Sequence, residues 1–331
     1  MDPPRSSAAT LLAALVAASA LGWPVPSAQA YESDQWTDRD QPLADALPAS
    51  NARADEMLAV ALDQANRRTQ CEGTDEEMRH QLAREIDRIF GDPARVPARG
   101  KLPPMVMGAY AAWLESGPID RRTFSERQDI YSRVRLHENM LLKVFGPAST
   151  IRFGDTLLGT DKIDHFLVQG YLYFRRSRGG NHTERAVRWG TRTEWKVWGV
   201  RSTDVFSFGD LAANFDGYLF YATLLEEGSL VRRREDGCVE QVRPWDWAEW
   251  VDWRYDEVLD PSWYAPPVDE VLRQYLVAHA DEICPQWHEL DLANDRDRWR
   301  RLWEEVPPWF VHPVPSREDP FDLSGLCGPP P

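Results

Sequence analysis

The residues of this chain that could take part in chemistry lie near its middle, at the spacing of one helix face. Asp161 and His165 are four residues apart in a stretch typical of a helix over roughly 160–176, and Gln169 follows one turn later. Residues at positions i and i+4 share one face of a helix. An imidazole flanked by carboxylates can serve as a general base near neutral pH, and the same groups can bind a divalent cation.

A second polar stripe follows about fifty residues later. Asp210, Asn214 and Gly217 share one face of a helix predicted over roughly 208–226, and Ser207 is placed to cap its first turn. Glycine at position 217 leaves room for a neighbouring helix or a ligand. This stripe offers a carboxylate and an amide, which are groups that bind either metals or partner side chains.

A third helix, predicted over roughly 182–198, carries Glu194 among tryptophans. All three helices are rich in apolar and aromatic residues, so their polar stripes must lie in buried surroundings. An unpaired buried polar group costs roughly 1–3 kcal/mol. The sequence therefore predicts that the three stripes face one another.

The order of these residues resembles the VanZ-like superfamily, most closely its YfiM-type periplasmic proteins of unknown function. The shared pattern is Asp-Lys-x-x-His-Phe, then a Glu about thirty residues on, then Ser-x-x-Asp-Leu-x-x-Asn-x-x-Gly. The resemblance covers about 154–228 and implies a bacterial envelope protein, but it brings no established reaction. The matching residues are Asp161, Lys162, His165, Phe166, Glu194, Ser207, Asp210, Asn214 and Gly217.

Two hypotheses follow for this cluster. In the first, the protein is an exported, non-enzymatic envelope protein, and the cluster is a structural network or a ligand site. In the second, it is a periplasmic hydrolase or transferase that acts on an envelope component, with His165 as general base or metal ligand.

Each candidate residue has a role under these hypotheses. The catalytic candidates are His165, Asp161, Glu194 and Asp210, of which His165, Glu194 and Asp210 are also candidate ligands of a divalent metal. The ligand-binding candidates are Lys162, Gln169, Ser207, Asn214 and Gly217.

The elements around this cluster predict a mainly α fold with few short strands. Two helices are expected over 53–90, a further one over 104–114 and a longer one over 124–145. The predicted regions are a signal peptide at 1–30, a flexible lead-in at 31–52, an N-terminal helical region at 53–150, the helical core at 151–230 and a Trp/Pro-rich region at 231–331.

The first thirty residues have the pattern of a cleavable secretory signal. Arg5 precedes an apolar stretch at 11–22, and Ala28-Gln29-Ala30 provides the small residues that signal peptidase requires. The apolar stretch is shorter than the roughly 20 residues needed to span a bilayer. We expect a mature protein in the periplasm or outside the cell, without a transmembrane segment.

The net charge and the cysteine content also limit which partners and which structural features to expect. The formal net charge of −15 argues against a nucleic-acid partner, because phosphate binding depends on Lys and Arg. Four cysteines in an exported chain predict two disulfides, whose pairing the sequence leaves open. Cys71, Cys238, Cys284 and Cys327 allow three pairings.

The tryptophan content of the C-terminal region has two interpretations. Trp247, Trp250 and Arg254 share a predicted face that could form a sugar-binding platform. Tryptophan also packs readily into cores, because its apolar area is large. Both interpretations stay open from the sequence.

Overall fold

The computed structural model describes residues 32–96, 105–124, 128–134, 147–195, 199, 203–290 and 323–328. Its first half contains helices and two short hairpins. In chain order they are α1 (Leu47–Thr69), α2 (Asp75–Phe90), β1 (Pro93–Val96), β2 (Met105–Gly108), α3 (Ala109–Ser116), β3 (Thr150–Phe153) and β4 (Thr156–Gly159).

The helix that carries His165, α4, spans 160–176 and changes geometry at that residue. It is α-helical over Thr160–Asp164, π-helical over His165–Gln169 and α-helical again over Gly170–Arg176. The wider π turn is uncommon and often marks a functional or strained part of a helix. Next come α5 (Thr183–Thr193), β5 (Val205–Phe206) and α6 (Phe208–Ala222).

The described C-terminal part combines short strands and turns with three helices. These are β6 (Val231–Arg233), β7 (Val239–Gln241), 3-10 turns at Trp247–Glu249 and Trp253–Tyr255, β8 (Trp263–Tyr264), α7 (Pro266–Ala278), α8 (Ala280–His288) and α9 (Leu323–Cys327). The described strands form two-stranded antiparallel pairs, β1–β2, β3–β4, β5–β8 and β6–β7. The predicted mainly α fold with a few short strands is confirmed.

Local sequence explains the α1–α2 hairpin. Gln70 takes a left-handed conformation at the end of α1, which ends the helix. Thr74 and Glu77 then form a capping box, because each side chain accepts a hydrogen bond from the other residue's backbone amide. The turn therefore returns α2 along α1, and α2 packs against α4 and α6.

The helices α4 and α6 cross at two glycines. A Cβ atom on Gly217 would lie 1.9 Å from the backbone oxygen of Phe166, and one on Gly170 would lie 2.6 Å from the backbone of Gly217. The two backbones therefore approach more closely than any larger residue would permit. This crossing brings the polar stripes of α4 and α6 together.

Four tryptophans of the described residues are buried in the core, namely Trp36, Trp245, Trp247 and Trp287. Trp247 is fully buried, lies 5.2 Å from Phe166 between ring centroids, and donates its indole N–H to the Tyr110 hydroxyl at 2.7 Å. Arg254 is also buried and pairs with Asp216 at 2.7 Å. These two residues cannot form an open sugar platform, so the packing interpretation of this stretch is the correct one.

Two predicted helices differ in the structure. The stretch expected to be helical over 104–114 begins as β2 and becomes α3 only at Ala109, because residues 105–108 pair with β1. In the expected helix over 124–145, the described residues 128–134 contain a 3-10 turn at Ile130–Arg133. The remainder of that helix lies outside the described residues, as do the signal at 1–30 and residues 196–198.

The expected flexible lead-in is instead buried at its start. Glu32, Ser33, Asp34, Gln35 and Trp36 have no exposed surface. Asp34 accepts hydrogen bonds from the backbone amides of Trp36, Thr37 and Ile130, so the segment is tied to a distant part of the chain. Its polar composition suggested mobility, but these polar groups are partners of the core.

Two disulfides form, as predicted. Cys71 pairs with Cys238, which joins the α1–α2 turn to the β6–β7 hairpin, and Cys284 pairs with Cys327, which joins α8 to α9. In the described part of the chain, every helix is too short or too polar to span a bilayer.

Candidate functional site

Lys162 lies at the centre of the polar cluster. Its ammonium nitrogen lies 2.6 Å from Asp161 Oδ2, 2.7 Å from Asp210 Oδ1 and 2.6 Å from Glu257 Oε1. The side chain has no exposed surface. Burial disfavours the charged amine, but the surrounding carboxylates outweigh burial and raise the pKa of Lys162 well above its usual value. The lysine is therefore a fixed buried cation.

His165 uses both of its ring nitrogens within the protein. Nε2 lies 3.2 Å from Asp210 Oδ2, and Nδ1 lies 3.0 Å from the side-chain oxygen of Asn214. Both ring nitrogens therefore have a side-chain partner at hydrogen-bond distance. A substrate would have to displace Asp210 or Asn214 to reach either nitrogen.

Asp210 joins Lys162, His165 and the start of α6. Its backbone amide donates to the Ser207 hydroxyl at 3.0 Å, which confirms Ser207 as the helix cap. Burial alone would raise the pKa of Asp210, but the nearby charges of His165 and Lys162 lower it below its usual value. Asp210 is thus held as a carboxylate between Lys162 and His165.

Glu194 approaches the cluster from the end of α5. It is 3% exposed, and its Oε1 accepts a hydrogen bond of 3.4 Å from the Ser207 amide. Burial raises the pKa of Glu194 well above its usual value, and the negative charge of Asp210 adds to the rise. The structure therefore brings Glu194 to the cap of α6, near Asp210.

Two acids of the cluster were not predicted from the sequence. Glu257 follows the 3-10 turn at Trp253–Tyr255 and contacts Lys162, while Glu32 comes from the N-terminal segment and accepts from the Thr203 hydroxyl at 2.8 Å. Both are fully buried, in irregular segments without helical spacing. The one sequence indication was that each acid has aromatic or apolar neighbours, such as Tyr255 and Val258 beside Glu257.

The cluster contains more acid than its cations can neutralise. Burial raises the pKa of Glu257 to about 7 and that of Asp161 above its usual value. Burial also raises the pKa of Glu32 well above its usual value, with Asp210 and Glu257 adding to the effect. Three carboxyl oxygens of the cluster have neither a hydrogen-bond donor nor an ion-pair contact among the described residues: Glu32 Oε2, Asp161 Oδ1 and Glu257 Oε2.

The acids of the cluster are a poor fit for a divalent metal. The described acids whose oxygens lie within 4.8 Å of one another are Asp161, Asp210 and Glu257. These are also the three carboxylates that contact Lys162, so a metal ion there would lie beside an ammonium. Of the predicted ligands, His165 and Asp210 are in contact, and Glu194 binds the Ser207 amide. The donor set is already arranged around a cation of the protein itself.

The remaining candidates fall close to the cluster. Asn214 contacts His165, and Gly217 lies at the crossing of α4 and α6. Gln169 is 6% exposed at the end of the π-helical turn. His165 is also 6% exposed. In the described part of the chain, a cleft of about 210 Å³ is lined by Trp250 and Glu249, and none of the candidate residues lines it.

Comparison with models of protein families, with curated proteins and with solved structures finds no match to this chain.

Proposed function

We propose that this chain is an exported bacterial envelope protein in which the His165–Lys162 cluster fixes the packing of the core and does not catalyse a reaction. The observation that carries this proposal is the pairing of both His165 nitrogens with side-chain acceptors, at 3.2 Å and 3.0 Å. A general base needs a free lone pair within reach of the substrate.

The connections of the cluster support a structural role. Lys162 ties α4 to α6 through Asp210 and to the C-terminal part through Glu257. Glu32 ties the N-terminal segment to residue 203. Buried ion pairs contribute little net stability but can specify one packing arrangement, since a wrong packing would leave charges unpaired. The cluster lies where four parts of the chain meet, which is where such specification has the largest effect.

Export is supported by two features. The chain has the secretory pattern at 1–30, and its four cysteines pair as two disulfides, which persist in oxidising compartments. The resemblance to YfiM-type proteins favours the periplasm. An envelope component is then the expected partner, and the net charge of −15 disfavours nucleic acid.

A second candidate function is a periplasmic hydrolase or transferase. The observation in its favour is the presence of acids with raised pKa values, Glu194 and Glu32, near His165. Protonated carboxyl groups can donate a proton to a leaving group. In this hypothesis a substrate would displace Asn214 from the imidazole.

One preparation tests export and the metal-dependent form of the second hypothesis. The full chain is produced in a bacterial host, and the periplasm is separated from the cytoplasm and membranes. Metal content of the purified protein is measured beside His165→Ala. The proposal expects periplasmic protein, with less than one-tenth of a metal ion per chain in both samples. One ion per chain that is lost in His165→Ala would instead support a metal-dependent enzyme.

A further inference from the structure

The end of α4 and the helix α5 carry a concentration of positive charge. Residues 175–192 contain six arginines and one acid, Glu184, in a chain whose formal net charge is −15. All six arginines are exposed, namely Arg175, Arg176, Arg178, Arg185, Arg188 and Arg192. They lie outside the buried acid cluster, so its packing role leaves them unexplained.

Three of these arginines lie on one side of α5. Arg185, Arg188 and Arg192 are separated by three and four residues, a spacing that places side chains on the same face of a helix. The residues that α5 buries lie on the other side, and they are Ala186, Val187 and Gly190. The three arginines therefore extend into solvent from a helix that is packed against the core.

Two further arginines adjoin this side of α5. The guanidinium carbon of Arg176 lies 4.7 Å from the ring centroid of Trp189, which is one helical turn after Arg185. Arg178 and Arg185 both line a hollow of about 550 Å³ at the start of α5. The end of α4 and one side of α5 thus form one continuous surface, which we call the arginine face. Its members are Arg176, Arg178, Arg185, Arg188 and Arg192.

The chain neutralises little of the charge on the arginine face. Arg188 pairs with Glu184, and Arg176 lies over an aromatic ring. Within the described residues, Arg178, Arg185 and Arg192 form no ion pair. Other exposed arginines do have acidic partners, since Arg67, Arg232 and Arg234 pair with Asp63, Glu240 and Asp236. The arginine face therefore offers positive charge to a partner outside the chain.

The chemistry of the arginine face fits phosphate groups on a surface. A guanidinium donates two parallel hydrogen bonds to phosphate oxygens and loses its hydration more readily than an ammonium. A helix that exposes arginines beside a tryptophan has the composition of helices that lie on bilayers, where the indole sits at headgroup level. An exported chain meets such phosphates at the membrane.

We propose that the arginine face is a docking surface for the phosphate headgroups of an anionic lipid bilayer. The inference names the envelope component of the proposed function and rests on the export proposed there. Each arginine near an anionic bilayer strengthens binding about fivefold. The contact is reversible, because α5 keeps its buried side in the core and only its exposed side meets the headgroups.

The net charge of −15 is compatible with this docking and gives it a direction. At physiological ionic strength, charges further apart than about 8 Å are largely screened from one another. The charge nearest the bilayer therefore decides binding. The acidic remainder of the chain repels anionic headgroups, so the protein binds them through the arginine face alone.

The test measures how much of the purified protein floats with lipid vesicles. The full chain is produced in a bacterial host and purified from the cell fraction that contains it. It is mixed with vesicles of phosphatidylcholine alone, or with vesicles in which about one third of the lipid is phosphatidylglycerol. At about 0.1 M salt we expect at least tenfold tighter binding to the phosphatidylglycerol vesicles. This preference should disappear at about 1 M salt, where the Debye length is about 3 Å.

Two triple variants locate the contact. The first combines Arg178→Gln, Arg185→Gln and Arg192→Gln, and its affinity for the phosphatidylglycerol vesicles should fall at least tenfold. The matched control combines Arg67→Gln, Arg232→Gln and Arg234→Gln, which changes the net charge equally on other surfaces. Its affinity should stay within about threefold of wild type. All six residues are exposed, so both variants should keep the wild-type Tm within about 3 °C.

The outcomes separate this inference from the proposed function. Equal affinity for the two kinds of vesicle, or equal losses in the two triple variants, overturns this inference and leaves export standing. Full competition by soluble glycerol phosphate, at the phosphate concentration of the lipid, would identify a single phosphate group as the ligand and overturn the bilayer as partner. Protein that is found in the cytoplasm overturns the proposed function, whatever the vesicles show.

Discussion

The side-chain oxygen of Asn214 lies 3.0 Å from Nδ1 of His165, while Asp210 contacts Nε2 of the same ring at 3.2 Å. Both acceptors come from α6, one helical turn apart, and His165 begins the π turn of α4. The imidazole thus joins two helices whose backbones cross at Gly170 and Gly217. Through these two contacts His165 links α4 to α6 near that crossing.

Lys162→Met should destabilise the fold strongly. It would leave Asp161, Asp210 and Glu257 buried without their shared cation, and loss of one partner of a buried pair costs about 3–5 kcal/mol. Chemical denaturation gives the change in the free energy of unfolding. Arg53→Met is the control, because Arg53 pairs with Glu56 on the surface and its loss should cost under about 1 kcal/mol.

A second substitution tests whether the lysine acts through its carboxylates. Adding Glu257→Gln to Lys162→Met removes one of the uncompensated charges. The double variant should therefore lose less free energy of unfolding than the sum of the losses in the two single variants. A coupling of at least about 0.5 kcal/mol is expected for residues in contact. Strict additivity would contradict the contact between Lys162 and Glu257.

Gly217→Ala should disrupt the crossing of α4 and α6. The added Cβ would lie 1.9 Å from the Phe166 oxygen, and forced overpacking costs about 1–3 kcal/mol or more. Thermal unfolding provides the measurement. Gly325→Ala is the matched control, because a Cβ on this helical glycine meets no atom within 4 Å. Equal Tm values for the two variants would refute the close crossing.

The free energy of unfolding should decrease as the pH rises, because Asp87 is an acid with a raised pKa in the folded state. Burial raises its pKa from 3.8 to about 7, opposed by Arg175 and helped by Asp164. Between pH 3.8 and about pH 7, Asp87 keeps its proton in the folded state but releases it in the unfolded state. The stability that this bound proton provides is therefore complete below about pH 4 and lost above about pH 7. A shift of about three units corresponds to at most about 4 kcal/mol.

The comparison for Asp87 is with Asp87→Asn, which keeps the shape and does not titrate. Denaturation at pH 5 and pH 8 should show wild type losing stability relative to the variant. Parallel pH profiles would contradict the burial of an acidic group at this position.

Removing the Cys71–Cys238 disulfide should destabilise the fold more than removing Cys284–Cys327. The two disulfides join residues that are 167 and 43 positions apart in the sequence. A disulfide that closes a longer loop removes more conformational entropy from the unfolded chain, so Cys71–Cys238 should contribute about 1 kcal/mol more stability. Paired serine substitutions at each disulfide, followed by denaturation, give the comparison. The opposite order would show that the longer loop is already restricted in the unfolded chain.

The sequence predicted the helical part of the site because helices have a regular spacing. Asp161 with His165, and Asp210 with Asn214, are each four apart, and both pairs meet in the cluster. Their convergence followed from the cost of burying unpaired polar groups in apolar helices.

The acids Glu32 and Glu257 could not be predicted in the same way. Each lies in an irregular segment, and each reaches the cluster through tertiary contacts with residues far away in the sequence, namely Thr203 and Lys162. The polar composition of 31–52 is typical of a mobile lead-in. Residues 32–36 are nevertheless buried, because tertiary contacts that composition does not reveal hold them in the core. The strand at 105–108 was missed for the same reason, since pairing with β1 overrides its helical tendency.

The most direct measurement is the free energy of unfolding of His165→Ala beside His288→Ala, whose histidine is exposed. We predict a loss of about 3 kcal/mol for His165→Ala, because Asp210 and Asn214 lose their shared partner. His288→Ala should change stability by less than about 0.5 kcal/mol. A His165→Ala protein as stable as wild type would contradict a structural role and would favour the catalytic hypothesis.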